Sequence, residues 1–141
     1  MIYSNASPAV GVVLVDSQDR LSIIERAIDP GKGRLDIPGG FCYGTETLEA
    51  AIARELTEEV GISPDQYSTP EFILSEIDIY HYEGETLPVV GVMFRAKLVP
   101  GIKPKAGDDA ASAQFIYPKD IDLSKVQFLS VRKALERTKQ L

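Results

Sequence analysis

Three glutamates, Glu55, Glu58 and Glu59, crowd one short stretch, with Arg54 directly before the first of them. At about 100° per residue of helix, Glu55 and Glu59 stand one turn apart on one face, with Glu58 a little round from them. Like charges at that spacing repel unless something positive sits among them, and oxygen-only ligand sets are what Mg²⁺ or Mn²⁺ accept. A solvated acidic helix face is the ordinary explanation for neighbouring glutamates. The angles argue against it. Leu48, Ile52, Leu56 and Val60 form an apolar stripe, and Glu55 and Glu59 fall within roughly 40° of its Leu48 and Ile52 edge rather than opposite it. Carboxylates set against apolar packing are costly unless a cation, an arginine or hydrogen bonds compensate. Arg54 is therefore expected as the local partner and a divalent metal as the main one.

The elements that must hold these residues are legible on either side. Thr47 suits the N-cap of a helix starting at Leu48, Gly61 suits its C′ position, and Pro64 lies just beyond. Upstream, Asp36-Ile37-Pro38-Gly39-Gly40 reads as the end of a strand, stopped by proline and turned by a glycine pair that tolerates positive φ and close approach. From Gly40 the chain runs through five residues to Glu46, through seven more, and into Arg54-Glu55-Leu56-Thr57-Glu58-Glu59-Val60-Gly61-Ile62. That spacing resembles the Nudix box of the Nudix hydrolases at every defining position. One feature departs from it. Nudix boxes usually carry glycine immediately before the first glutamate and often an acidic residue two positions earlier, whereas here Thr45 precedes Glu46, Gly44 is one position early and Tyr43 holds the other place.

The resemblance implies an α/β/α sandwich with a mixed β-sheet. It also implies Mg²⁺- or Mn²⁺-dependent hydrolysis of the pyrophosphate bond in a nucleoside diphosphate linked to another moiety: a nucleotide sugar, a dinucleotide or a nucleoside triphosphate. On that reading Glu55 and Glu59 are direct metal ligands, Glu58 binds directly or through water, the Gly39 carbonyl adds a ligand and Arg54 orients the carboxylates. The general base is one of the glutamates or an acidic residue of a late loop, for which Asp108 and Asp109 are candidates. No proline stands around Glu76 to Asp78, where members resembling ADP-ribose pyrophosphatases carry one, so the expected specificity is broad.

The rest of the chain reads as scaffold. Ala9 to Val15 and Leu21 to Arg26 suggest a hairpin, and Ala27 to Arg34 a loop whose Lys32 and Arg34 could touch a phosphate. Glu71 to Tyr82 and Leu87 to Val99 form a second, longer hairpin. Near its tip Tyr80, His81 and Tyr82 could stack on a nucleobase, although packing on a sheet face is their more ordinary fate. His81, the sole histidine, has no histidine partner for a zinc site. Ser112 to Tyr117 reads as a last strand and Phe128 to Leu141 as a helix packed through Leu129, Val131, Ala134 and Leu135.

The 141 residues suit one domain spanning 1–141. The single Cys42 excludes an internal disulfide, and the net charge of −6 disfavours nucleic-acid binding. No run is long or apolar enough for a membrane span, so a cytoplasmic protein acting on a nucleotide-type small molecule, with a homodimer admissible, is the expectation. Two other classes compete: a non-catalytic nucleotide-sensing Nudix domain, and an isoprenoid diphosphate isomerase, which needs cysteine and glutamate chemistry in its pocket.

Overall fold

The computed structural model describes residues 5–107 and 110–139, with the side chain of Tyr82 left aside. In chain order the elements are β1 (Ser7–Val15), β2 (Leu21–Arg26), β3 (Leu35–Asp36), β4 (Gly39–Phe41), α1 (Leu48–Val60), β5 (Glu71–Tyr82), β6 (Glu85–Lys97), β7 (Ala110–Ile116) and α2 (Leu129–Lys139). Single 3₁₀ turns at Pro64–Gln66, Pro118–Asp120 and Leu123–Lys125 fill the connections.

β1 is the axis. Its residues from Ala9 to Val15 are all buried, as a continuous apolar run must be when both faces of a central strand are covered. Strand alternation divides them. Val10, Val12 and Leu14 pack with Ile52, Leu56 and Val60 of α1, while Val13 and Val15 pack with Val131, Ala134 and Leu135 of α2. The sheet is mixed, β1 running parallel to β6 from Ser7↔Val89 to Val15↔Lys97 and β6 antiparallel to β5. Helix, mixed sheet, helix is the sandwich expected from the sequence.

Two local expectations change. β1 and β2 meet only at Val15↔Leu21 rather than along a full hairpin, because β4 occupies the same edge of β1 through Ala9↔Phe41, Val10↔Gly40 and Gly11↔Gly39. β2 instead pairs with β7 and β3. Consequently Gly39 and Gly40 belong to a strand, not a turn. A Cβ at Gly39 would collide with the Val10 carbonyl oxygen, so glycine here is the residue that lets β4 close on β1.

The C-terminal helix also differs in detail. Leu129 is exposed and Ser130 is buried. The cause is Asp78 of β5, buried beneath the helix start, which accepts from the Ser130 N–H (3.0 Å) and hydroxyl (2.5 Å). An acceptor at that point satisfies donors the first helical turn leaves unpaired. Among the described residues no helix is long and apolar enough to cross a membrane.

Candidate active site

The site is built by α1 lying against β4. Thr47 caps the helix, its hydroxyl accepting from the Ala50 N–H at 3.1 Å, and Gly61 closes it in the left-handed region with φ 68°. Burial of Ala51, Ile52, Leu56 and Val60 fixes the rotation of the helix, and the Glu55 and Glu59 edge then faces the two glycines of β4. Glu59 Oε2 accepts the Gly39 N–H at 3.1 Å. The Glu55 carboxylate lies directly over Gly40, where a Cβ would sit 2.5 Å from its Oε1. The second glycine therefore makes room for a carboxylate.

Arg54 binds almost every oxygen around it. Its Nε and Nη2 donate to the two Glu46 oxygens at 2.7 and 2.9 Å, Nη1 to Glu55 Oε1 at 2.7 Å and Glu58 Oε2 at 3.2 Å, and Nη2 also to the Phe41 carbonyl at 2.8 Å. Its guanidinium further lies 4.0 Å from the centroid of the Tyr43 ring. These hydrogen bonds, together with the Tyr43 N–H, hold the Glu46 carboxyl below its ordinary range. The side chains differ sharply in exposure, 12% for Glu55 against 60% for Glu58. Arg54 is thus the partner of Glu46, Glu55 and Glu58, whereas Glu59 is served by the backbone of β4.

Glu59 is electrostatically different. Burial pushes its carboxyl up to about 8, against the lowering effect of the Gly39 N–H, and the neighbouring charges of Asp36 and Glu55 add to the rise. Beneath it, Asp36 is buried and raised by desolvation, although it is paired at 2.7 Å with Arg26. Arg26 in turn donates to the Pro30 carbonyl at 2.6 Å and packs its guanidinium 4.9 Å from the Phe128 ring centroid.

The carboxylates open onto a cavity of about 350 Å³, with Glu55, Glu59, Gly39 and Gly40 on one side and Phe41, Tyr43 and Leu87 among the apolar residues of its wall. Among the described residues no three carboxylate, imidazole or thiol groups already converge as a cage. The donors that face the cavity do suit a hard divalent cation. They are oxygen-only carboxylates beside the backbone of Gly39 and Gly40, and one of them, Glu59, is driven towards its neutral form by burial. Glu55, Glu59 and the Gly39 backbone are the groups able to hold it, with Glu58 farther out and tied to Arg54.

The late loop is anchored on the same helix. The Gly107 N–H donates to the Glu59 carbonyl at 2.7 Å and Lys105 N–H to that of Val60 at 2.9 Å. A side chain at Gly107 would strike the Glu58 carbonyl oxygen. Asp108 and Asp109, the expected late-loop acids, lie outside the described residues.

The residues expected to touch substrate are not gathered together. Arg34 Nη2 donates to the carbonyls of Ser124 (2.6 Å) and Val126 (3.4 Å), tying the loop to the segment before α2. Lys32 is exposed on the loop, its N–H on Asp29 Oδ1 at 3.2 Å. Tyr80 does line the cavity, but Phe128 stacks on it at 4.6 Å and 8°, and Phe41 leans on it at 5.5 Å. His81 is exposed. Cys42 packs towards the α1-side core rather than into the cavity, and burial raises its thiol, the opposite of an activated nucleophile. Arg26, Phe41 and Leu87 were not singled out in the sequence. Arg26 and Asp36 are ten residues apart and meet only because β2 pairs with β3, a relation with no local signal.

Comparison with known proteins agrees with this architecture. The sequence matches the NUDIX domain over residues 6–137, and the chain belongs to that family. It is 32% identical over 111 residues to an ADP-ribose pyrophosphatase of Methanocaldococcus jannaschii, a match covering 77% of this chain and 61% of that protein. It is 38% identical over 74 residues to an 8-oxo-dGTP diphosphatase of Escherichia coli, covering 52% of this chain and 57% of that one. The chain thus spans about three fifths of each of these relatives. In structure it superposes on a MutT NUDIX hydrolase from Burkholderia pseudomallei with a TM-score of 0.78 at 23% identity, covering 95% of this chain and 98% of the other.

Proposed function

We propose that this protein is a Mg²⁺- or Mn²⁺-dependent pyrophosphohydrolase acting in the cytoplasm on a nucleoside diphosphate linked to a further moiety, such as ADP-ribose or a nucleoside triphosphate. The observation that carries the reading is the pair Glu55 and Glu59, pressed onto Gly40 and Gly39 at the wall of a cavity of about 350 Å³. The names of the relatives, a pyrophosphatase and a diphosphatase, support the same bond as the target.

A divalent ion bound there would supply charge neutralisation on the bridging phosphates and lower the pKa of an attacking water. The chain's own residues do the rest. Glu55 and Glu59 would hold the ion, together with the Gly39 carbonyl and, directly or through water, Glu58. Arg54, fixed by Glu46, keeps the Glu55 carboxylate aimed over Gly40. A carboxylate takes the proton of the attacking water, and the candidates are the glutamates Glu55, Glu58 and Glu59 and the late-loop Asp108 and Asp109. Lys32, Arg34 and Tyr80 are the proposed substrate contacts, and of these Arg34 and Tyr80 also have partners within the fold.

The test is release of the nucleoside monophosphate, read by chromatography, on incubation in Mg²⁺ with ADP-ribose, 8-oxo-dGTP, dGTP and diadenosine polyphosphates. Glu59→Gln should reduce kcat/KM on the best substrate by about 100-fold or more, because it removes one anionic ligand from the metal that carries the chemistry. Undiminished turnover by that variant would remove the assignment.

A further inference from the structure

We propose that Tyr43, which stands where the Nudix box often carries an acidic residue, is the stacking platform for the planar base of the substrate. The inference rests on the nucleotide-hydrolase reading above and adds a specificity-determining residue to it.

The argument begins with how the ring is held. Glu46 fixes Tyr43 at its backbone, accepting the Tyr43 N–H on Oε1 at 2.8 Å while its own N–H donates to the Tyr43 carbonyl at 2.8 Å. The same carboxylate receives two hydrogen bonds from Arg54, whose guanidinium lies against the Tyr43 ring at 4.0 Å. One glutamate thus positions both the ring and the cation on its face. An aromatic ring has two faces, and this one lines the carboxylate cavity with 60% of its surface exposed. With Arg54 set over the ring, that exposed surface is available to whatever enters.

The other tyrosine of the cavity wall is more enclosed. Tyr80 is covered by Phe128 in a nearly parallel stack and is crowded by Phe41. Around Tyr43 the wall carries further exposed apolar side chains, Ile28 (48%), Phe41 (37%) and Leu87 (46%). Exposed apolar groups gathered in one concavity beside a phosphate-handling site suit a flat, weakly polar group such as a nucleobase. Because Arg54 is already immobilised, stacking on Tyr43 costs little additional ordering, the condition under which a platform adds most to affinity. An Arg54, Tyr43 and base sandwich would set the base beside the metal-holding edge and leave the diphosphate to reach Glu55 and Glu59.

The experiment is a calorimetric titration of the full chain with AMP and, in parallel, with ribose 5-phosphate, which lacks the base. Loss of base stacking weakens binding by roughly 5- to 100-fold. Tyr43→Ala should therefore weaken AMP by that factor and leave ribose 5-phosphate within about twofold, while Tyr43→Phe, which keeps the ring, binds both as the parent does. In hydrolysis assays the Ala variant should raise KM on base-bearing substrates far more than it lowers kcat. Unchanged AMP affinity in Tyr43→Ala overturns the proposal. So does a parent protein that does not prefer AMP to ribose 5-phosphate, and so does an equal loss of both ligands, which would mean that Tyr43 acts only by steadying Arg54. Failure of the hydrolase reading looks different: no nucleotide is turned over, yet the AMP titration still reports the stack. Tyr43 is exposed and outside both helices, so matching thermal midpoints should accompany all three proteins.

Discussion

Glu59 is the residue on which stability and the proposed metal binding would oppose one another. Its carboxyl would ordinarily titrate near 4.5 and is pushed up to about 8 by burial in the folded chain. Between those values the native state holds a proton that the unfolded state has released, so stability present below about 4.5 is lost progressively as pH rises through about 8. For a partly exposed carboxyl the change should be on the order of 2 kcal/mol. In thermal melts of metal-free protein, the midpoint should fall from pH 5.5 to 8.5, and Glu59→Gln should flatten that slope. A divalent ion competes with the same proton, so Mg²⁺ should raise the midpoint more at pH 8.5 than at pH 5.5, provided Glu59 is present. A wild-type midpoint that is level across this range would show that Glu59 is not held in its neutral form.

At the level of elements, the pairing of α1 with β4 decides the site. Gly40 is the sensitive point. A methyl there meets the end of a flexible side chain, Glu55, and not backbone, so the fold can yield by moving that carboxylate. Gly40→Ala should cost stability only about 1 kcal/mol or less, yet, with Glu55 in its proposed role, turnover should fall by about 10- to 100-fold, since small displacements of a catalytic group are expensive. Thr47→Ala gives the converse pattern. It removes the cap that accepts from Ala50 and should cost about 1 kcal/mol in urea denaturation, with kcat little altered. If Gly40→Ala retained full activity, the Glu55 carboxylate would not be working from the place it occupies over β4.

For the molecule as a whole, the sheet must be clasped from both sides, and α2 is fastened through one buried carboxylate. Asp78 accepts both Ser130 donors beneath the helix start. Asp78→Ala leaves those donors unpaired in an apolar setting and should destabilise by about 2 to 3 kcal/mol, read as a thermal midpoint lower by roughly 5 to 10 °C. A change below about 0.5 kcal/mol would show that α2 docks by its apolar face alone. This clasp also marks what local pattern could and could not say. The apolar period of Leu48 to Val60, the capping Thr47 and the closing Gly61 are short-range properties, so the extent of α1 and the edge carrying Glu55 and Glu59 followed from the chain alone. The order of the longer strands and the helices likewise followed, without the short β4, and the layered architecture was implied by the family resemblance. Contacts closed across the sheet did not. Only the folded chain placed β4 on the edge of β1, turned Gly40 into the seat of a carboxylate, brought Arg26 onto Asp36, engaged Arg34 with the carbonyls of Ser124 and Val126 and covered Tyr80 with Phe128. Periodicity reports which face of one element is apolar. Which groups meet across the sheet depends on strand register and close approach between segments distant in sequence, and no single stretch of the chain encodes that.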